Sequence, residues 1–412
     1  MKPILKTRNV PLTQAFKDFF ANEKASAVVL IICTAVSFAI ANTAFGPGYL
    51  SFWQGYMGPL SVEHWVNDGL MAIFFLLIGL ELERELYAGE LSNLKSALLP
   101  IFAAIGGIAV PASIHFALNA GTPTQPGVGI PMATDIAFAI GVLALVGSRV
   151  PASLKVFLVA LAVMDDLGAI IVIAVFYTAD LAAMYLLASL GVLALLFVLN
   201  RLGVMALVPY LIGGIIAWYF MLKSGVHATI AGVLLAFTIP FTHKRDDLDS
   251  PSYKLEHFLH KPVAFLILPI FALANTGIVV GGDWAAELTS ANSLGIILGL
   301  VFGKPIGITL LAFLAVTVGL CRLPLDLNWK HVFGAGMLGG IGFTMSIFIT
   351  NLAFTGDSET INASKMAILL ASLTAGTAGF LFLKLLGQPN VDDVDMDTMD
   401  FPDEENVTTA EA

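Results

Sequence analysis

The chain has 412 residues, of which 58% are hydrophobic and 12% charged, and its mean hydropathy is +0.87. A soluble domain carries about 25% charged residues, so this composition excludes a water-soluble globular protein and indicates a polytopic membrane protein. The formal net charge of −10 gives no reason to expect a nucleic-acid partner, and two cysteines, Cys33 and Cys321, exclude a disulfide framework.

The two ends of the chain differ from its apolar body. Residues 1–25 lack an apolar stretch directly after their basic residues, so we expect no cleavable signal peptide but a cytoplasmic, amphipathic segment on the membrane surface. Residues 26–386 form the predicted transmembrane domain. Residues 391–412 contain nine acidic residues and no basic one, and we therefore expect 387–412 to be a disordered, acidic cytoplasmic tail.

The apolar body divides into segments of membrane-spanning length. A bilayer core about 30 Å thick needs about 20 apolar residues per helix, and twelve segments meet this requirement. We number them as spans 1 to 12. They lie at 26–45, 69–88, 96–118, 130–147, 152–178, 181–200, 204–222, 225–241, 261–280, 293–318, 331–354 and 362–386.

The loops carry an uneven distribution of Lys and Arg. The N-terminus, the even-numbered loops and the C-terminus hold 17 of them, and the odd-numbered loops hold two. Because cytoplasmic loops are enriched in these residues, both termini are predicted to be cytoplasmic. The external loop 46–67 is rich in glycine and aromatic residues. It is either a hairpin used in a homodimer contact or an aromatic belt at the lipid interface.

Two spans are poorly suited to continuous helices. Span 4 contains Pro131, Thr134 and Asp135, and span 11 has five glycines between Gly334 and Gly342. Spans 4 and 11 are the middle members of two groups, spans 3–5 and 10–12, that run in opposite directions. Interrupted helices at matching positions of an inverted repeat indicate a transporter's substrate site. The alternative is close helix packing through small residues. We expect an all-α fold of about 12 transmembrane helices, with inverted-topology repeats and two discontinuous helices.

Four charged side chains fall inside predicted spans. Asp165 and Asp166 are adjacent in span 5, Asp135 lies in span 4, and Lys304 lies in span 10. Intramembrane charges are costly and therefore candidates for function. Two neighbouring carboxylates do not easily both ionise in a low dielectric, and Lys304 is expected to pair with one of the aspartates. Carboxylate oxygens bind hard cations and also protons, so one site would exchange the two by competition. Alternatively, Asp135 and Lys304 only neutralise the ends of broken helices.

These stretches resemble the NhaA-type sodium/proton antiporters of bacterial inner membranes over residues 68 to 385. The matching segments read PMATDIAFAIGVLALVGSRVP, ALAVMDDLGAIIVIAVFYT, SGVHATIAG, LEHFLHKPVAFLILPIFALANTG, GKPIGI and GFTMSIFI. The resemblance implies that Asp166 binds the cation and that Asp165 pairs with Lys304 when no cation is bound. It places Thr134 and Asp135 at the crossing of the broken helices.

The resemblance also implies a set of residues that respond to pH. They are Glu81, Arg84, Glu85, His227, Glu256, His257 and His260. Glu83 stands where a lysine is expected in relatives, which makes this region more acidic. The histidines are alternatively capping or interface residues at span ends. We expect no cofactor, with Na+, Li+ and H+ as transported ions and membrane lipids as partners.

Three other functions are compatible with parts of the pattern. A sodium-coupled symporter of an organic solute would also use crossed broken helices, but the spans offer few polar side chains. An intramembrane aspartyl protease would need two aspartates facing one water, such as Asp135 and Asp166, but its GxGD signature is absent from the spans. A passive channel would need a continuous polar stripe, which no span shows.

Overall fold

The computed structural model is mostly helical. It describes residues 7–11, 14–87, 94–147, 150–178, 181–242, 249–282, 284–386 and 398–402. The α-helices, labelled α1 to α18 in chain order, are Gln14–Ala41, Gly46–Gln54, Val62–His64, Met71–Tyr87, Leu94–Asn119, Ile136–Val146, Ala152–Phe176, Ala183–Arg201, Leu207–Lys223, Thr229–Ala236, Pro251–Pro262, Leu268–Asn275, Trp284–Leu288, Ala291–Leu298, Lys304–Thr317, Trp329–Gly339, Phe343–Ala353 and Ser358–Leu386.

Three π-helical segments join neighbouring α-helices into longer spans. They are Trp65–Leu70, Val263–Ile267 and Gly299–Gly303. A 3-10 helix, Gln125–Met132, precedes α6. Four short strands, β1 to β4, are Thr7–Pro11, Tyr56–Met57, Leu60–Ser61 and Thr398–Pro402.

The described residues contain eight helices that are long and apolar enough to cross a membrane. Two further pairs of helices, bent by 114° and 47° at short breaks, raise the number to ten if each pair is one span. The prediction of an all-α polytopic membrane protein is therefore confirmed. Each of the twelve predicted spans contains at least one helix, although α9 (Leu207–Lys223) is shorter than the eight.

Span 8 differs from its predicted length. It was expected to be continuous over 225–241, but α10 covers only Thr229–Ala236. Eight helical residues rise about 12 Å, less than half of a bilayer core. Gly225, with a positive φ of 83°, lies in the turn before it, and residues 240–242 beyond it have no regular secondary structure.

Span 9 begins about ten residues earlier than predicted, at Pro251 instead of 261. The hydroxyl of Ser250 accepts a hydrogen bond from the backbone N–H of Tyr253 at 3.2 Å, and proline occupies the first helical position. Both features stabilise a helix start. Span 2 likewise begins with Val62 instead of residue 69.

Parts of the two terminal segments have regular secondary structure. Helix α1 begins at Gln14 and continues to Ala41, so the second half of the predicted surface segment is continuous with span 1. Strand β4 pairs antiparallel with β1, with Thr398 opposite Pro11. The other residues of the predicted disordered tail, 387–397 and 403–412, lie outside the described residues.

Loop 46–67 contains a short helix and a hairpin. Helix α2 is followed by strands β2 and β3, in which Tyr56 pairs with Ser61. The indole of Trp65 donates a hydrogen bond to the carbonyl of Met57 at 2.9 Å, which holds the hairpin against the start of span 2. A hairpin is therefore present; its use in a dimer stays a prediction.

The two broken spans meet at their breaks. In span 4 the backbone is extended at Ala133 and at Asp135, between the 3-10 helix and α6. In span 11 the break lies between α16 and α17, which are bent by 47°. The backbone N–H of Asp135 donates to the carbonyl of Ile341 at 2.7 Å, so one break is hydrogen-bonded to the other.

Spans 3 and 10, the first members of the two predicted repeats, approach each other without intervening side chains. A β-carbon added at Gly106 would collide with the carbonyl oxygen of Gly307, and one added at Gly307 would collide with that of Gly106. This reciprocal contact is what a two-fold relation between the two spans would produce, and it brings Lys304, one turn before Gly307, close to span 5.

Candidate functional site

Asp135 caps two helices with one carboxylate. Its Oδ1 accepts the backbone N–H of Phe138 at 2.9 Å, at the start of α6. Its Oδ2 accepts the backbone N–H of Thr344 at 3.0 Å, at the start of α17, and also the hydroxyl of Thr344. Because helix N-termini carry partial positive charge, a buried carboxylate between two of them is stabilised by both. This geometry agrees with the interpretation that Asp135 neutralises the broken helix ends.

Lys304 pairs with Asp165 and not with Asp166. The Nζ of Lys304 contacts Oδ2 of Asp165, and both side chains are completely buried. Lys304 also donates to the hydroxyl of Thr134 at 3.0 Å. That hydroxyl lies 2.7 Å from Oδ2 of Asp165 and 2.8 Å from the carbonyl of Gly339, at the end of α16. Because a hydroxyl has one proton, Thr134 donates to only one of these acceptors at a time.

Asp166 lines a small cavity. The cavity has a volume of about 30 Å³ and is also lined by Asp135, Thr344, Glu81 and His260. That volume accommodates one or two water molecules. Asp166 is 1% exposed, and its Oδ1 has no hydrogen-bond partner among the described residues. A buried oxygen without a donor is expensive to keep, so this oxygen is a candidate ligand for a cation or a proton.

The donor set around the cavity limits how an ion is bound. Within the described ranges, no group of three or more His, Cys, Asp and Glu side chains is arranged to hold a metal ion. A transported cation at Asp166 would therefore be held by one or two carboxylates together with hydroxyl, backbone or water oxygens. Oδ1 of Asp165, also buried without a hydrogen-bond partner in the described structure, is the neighbouring carboxylate oxygen.

Five of the residues that the resemblance assigned to pH response form one group, here called the mouth cluster: Glu81, Arg84, Glu85, Glu256 and His260. The Nε of Arg84 lies 2.9 Å from Oε1 of Glu256, and its Nη1 lies 3.5 Å from Oε1 of Glu85. Oε1 of Glu81 lies 3.5 Å from Nδ1 of His260. Since Glu81 and His260 also line the cavity, the cluster is continuous with the space in front of Asp166.

The other two residues assigned to pH response lie elsewhere. His257 is exposed on α11, where its ring stacks on Tyr253 with centroids 6.1 Å apart. The Nδ1 of His227 lies 3.9 Å from Oδ1 of Asp68. Asp68 is 13 residues from Glu81 along span 2, a helical distance of about 20 Å, so His227 is at the opposite end of the span from the mouth cluster.

Sequence reasoning missed Thr344 and Ser252. Thr344 supplies two of the hydrogen bonds to Asp135. Its position two residues after the last glycine of span 11 could have indicated a polar residue next to the helix break. Ser252 donates to Oε2 of the buried Glu83 at 3.4 Å. Nothing in the sequence predicts this second contact, because span 9 was expected to begin only at residue 261.

Known proteins match this chain over almost its whole length. A profile of the family described as "Na+/H+ antiporter 1" matches residues 17–383. The Na(+)/H(+) antiporter NhaA of Dechloromonas aromatica is 69% identical over 378 residues, which is 92% of this chain and 97% of that protein. The protein of the same name from Cytophaga hutchinsonii is 62% identical over 91% of this chain and 96% of its own length.

More distant relatives carry the same description. The Na(+)/H(+) antiporter NhaA of Vibrio campbellii is 48% identical over 90% of this chain and 95% of that protein. The chain therefore belongs to the NhaA family of Na+/H+ antiporters, as its motifs indicated.

Proposed function

We propose that this multi-pass membrane protein exports Na+ or Li+ in exchange for protons, by alternating access to a site formed by Asp165 and Asp166. Na+/H+ exchange is the activity of the family to which the chain belongs. The paired-aspartate site, the electrogenic cycle and its pH regulation are the proposed refinements.

The observation that carries the proposal is the different bonding of two adjacent carboxylates. Oδ2 of Asp165 is held by Lys304 and Thr134, whereas Asp166 lines the cavity with one oxygen free of hydrogen bonds from described residues. Lys304 thus compensates one carboxylate and leaves the other available. A proton on Asp166 and a cation at Asp166 exclude each other, so binding of one releases the other.

The same competition makes the exchange depend on pH. As pH falls, protons occupy the carboxylate and the affinity for Na+ falls with it. We propose that the mouth cluster adds regulation, because Arg84 holds two glutamates while Glu81 and His260 border the cavity. Protonation there would change the charge next to the path to Asp166.

The cycle is proposed to move net charge. If Asp165 and Asp166 each carry a proton inward and one Na+ displaces both protons on its way out, one positive charge moves inward per cycle. An inside-negative potential contributes about 2.3 kcal/mol per charge per 100 mV to this direction. The potential therefore drives Na+ export even without a pH gradient.

We place the protein in the bacterial inner membrane with both termini in the cytoplasm, as the Lys and Arg distribution supports. The mouth cluster is then at the cytoplasmic end. A homodimer formed through loop 46–67 is the expected assembly, since exposed aromatic residues such as Tyr56 (83% exposed) lie on its hairpin. We expect no cofactor.

Two alternatives fit the geometry less well. A cavity of about 30 Å³ is too small for an organic solute, which argues against a symporter. In a protease, Asp135 and Asp166 would share a water, but both oxygens of Asp135 already accept hydrogen bonds from helix starts. Its geometry is that of a helix cap.

The decisive test uses proteoliposomes with an acidic interior and a pH-sensitive dye. Addition of Na+ or Li+ outside should collapse the proton gradient, and K+ should not. Asp166→Asn should abolish the response and remain folded, while Asp357→Asn, at an exposed site, should behave like the unmodified protein. Robust Na+-driven proton movement by the Asp166→Asn protein would refute the site assignment.

A further inference from the structure

Three asparagines from three different spans form a hydrogen-bonded chain. The Nδ2 of Asn275, at the end of α12, donates to Oδ1 of Asn67 in span 2 at 2.9 Å. The Nδ2 of Asn351 in α17 donates to Oδ1 of Asn275 at 2.6 Å. The second hydrogen of the Asn275 amide is donated to the carbonyl of Phe271 at 3.0 Å. Asn275 is 1% exposed and uses its whole amide in these bonds.

The three asparagines lie at one depth relative to the cavity. Each is seven positions from a cavity-lining residue of its own span, in the direction away from the mouth cluster. These cavity-lining residues are Phe74, Leu268 and Thr344. Seven helical positions correspond to about 10 Å. The amide chain therefore crosses the protein about 10 Å beyond the cavity, on the side opposite Glu81 and His260.

Buried aromatic side chains pack together on the elements that carry two of the amides, span 2 and α17. Phe75 of span 2 packs on Phe348 of span 11 with ring centroids 5.5 Å apart, and both are at most 1% exposed. His227 contacts Phe348 from the far side, with centroids 6.1 Å apart. The cavity itself borders Glu81 and His260 of the mouth cluster, and its lining residue on span 2 nearest to the amides is the apolar Phe74.

We propose that Asn67, Asn275 and Asn351 form a latch that closes access to Asp166 from the side opposite the mouth cluster and opens once in each transport cycle. The proposal rests on the proposed function, because alternating access requires such a closure. The latch connects spans 2 and 9 to α17, the half-helix whose start is capped by Asp135. Movement of α17 relative to spans 2 and 9 would therefore break the bond between Asn351 and Asn275.

Neutral amides suit a closure that must reopen. An ion pair buried at this depth would leave uncompensated charges when it separates. Hydrogen bonds between transmembrane helices contribute little on average, so loss of each one shifts an equilibrium by about threefold. Removal of both interhelical bonds of Asn275 should shift the ratio of open to closed latch by about tenfold.

The test measures access to the cavity from each side. In a background with Cys33→Ser and Cys321→Ser, the cavity-lining Met345→Cys reports access to a membrane-impermeant thiol reagent. Right-side-out vesicles expose the latch side, and inverted vesicles expose the mouth cluster. Asn275→Leu, which breaks both interhelical bonds, should accelerate labelling from the latch side by about tenfold. Asn351→Leu, which breaks only one interhelical bond, should accelerate it by about threefold.

Asn292→Leu is the matched control. Asn292 is 4% exposed and also makes two side-chain hydrogen bonds between spans, to His115 at 3.1 Å and to Ser364 at 2.7 Å. Those bonds join spans 3, 10 and 12 and do not involve spans 2, 9 or α17. This variant should therefore leave labelling from the latch side unchanged.

The outcomes separate the latch from the proposed function. If Asn275→Leu fails to fold, Asn351→Leu alone decides the question. Labelling from the latch side that is equal in Asn351→Leu and Asn292→Leu, with Met345→Cys still labelled from the mouth side, would overturn the latch. Labelling does not require exchange of ions. If labelling is accelerated but the protein does not exchange Na+ for H+, the proposed substrates are wrong and the latch is retained.

Discussion

Replacement of Asp135 by alanine should destabilise the protein more than loss of an ordinary helix cap. The change removes the acceptors for the backbone N–H groups of Phe138 and Thr344, at the starts of two helices. Asp135 is 2% exposed, so water does not readily replace it. A buried donor left without a partner costs about 1–3 kcal/mol, and two such donors cost about 2–6 kcal/mol.

The assay is thermal unfolding of the purified protein in detergent, with Asp357→Ala as the matched control. Oδ1 of Asp357 accepts the backbone N–H of Thr360 at 3.1 Å, at the start of α18, but the residue is exposed. Loss of this single cap should cost about 1 kcal/mol. Asp135→Ala should therefore unfold at a clearly lower temperature than Asp357→Ala, and Asp135→Asn, which keeps one acceptor oxygen, should lie between them.

Equal unfolding temperatures for the alanine variants of Asp135 and Asp357 would refute the double-cap reasoning. The Asp135→Asn variant also addresses the role of this residue in transport. If it exchanges Na+ for protons below its unfolding temperature, the charge of Asp135 is not needed for transport, and the residue acts as a hydrogen-bonding cap. If exchange is lost in the folded variant, the carboxylate has a direct part in ion binding.

Two further predictions concern the contacts around span 10. Lys304→Ala should lower the unfolding temperature, because it leaves Asp165 buried without its cation, at a cost of about 3–5 kcal/mol. Adding Asp165→Asn to this variant should recover part of the lost stability. Unchanged thermal unfolding of Lys304→Ala would count against the ion pair. Gly307→Ala should reduce the yield of folded protein in size-exclusion chromatography, because its methyl group would collide with the backbone of Gly106. Gly281→Ala, where a β-carbon meets open space, is the control and should have no effect.

The sequence predicts the site better than it predicts the helix boundaries. Charges inside apolar segments are visible without any structure, and Asp165, Lys304 and Asp135 do meet at the crossing of two broken spans. The pairing of Lys304 with Asp165, and not with Asp166, followed only from the family resemblance. The direction of a side chain within an apolar helix is not encoded in hydropathy.

The glycines of span 11 illustrate why the two interpretations of that segment were both partly correct. Gly334 and Gly336 remain within α16, where a β-carbon would collide with Leu383 and Pro305 respectively. These glycines serve close packing. The break itself occurs at Gly340–Gly342, opposite Asp135. Composition alone does not separate the packing glycines from those at the break, since both depend on neighbours that are distant in sequence.

The early start of span 9 was missed for an electrostatic reason. A hydropathy window penalises the charged stretch 254–261, although Glu256 forms an ion pair with Arg84 of span 2. Arg84 compensates the charge of Glu256, so this side of the helix is buried against span 2, while Lys254, His257 and Lys261 on its other side stay exposed. The stability of this ion pair depends on two residues that are distant in sequence, whereas a hydropathy window scores each residue by itself.

The contact between Gly106 and Gly307 has a consequence for how these two positions vary. Each glycine occupies space that the other's backbone needs, so the first added methyl group forces the two helices apart. Once they have separated, a second methyl group at the other position meets much less resistance. The effects of the two substitutions should therefore be strongly non-additive, as is usual for residues in direct contact. A scan of single substitutions would measure the full loss of stability at each of the two glycines. Adding the two values would count the same constraint twice, although the two halves of the chain share it.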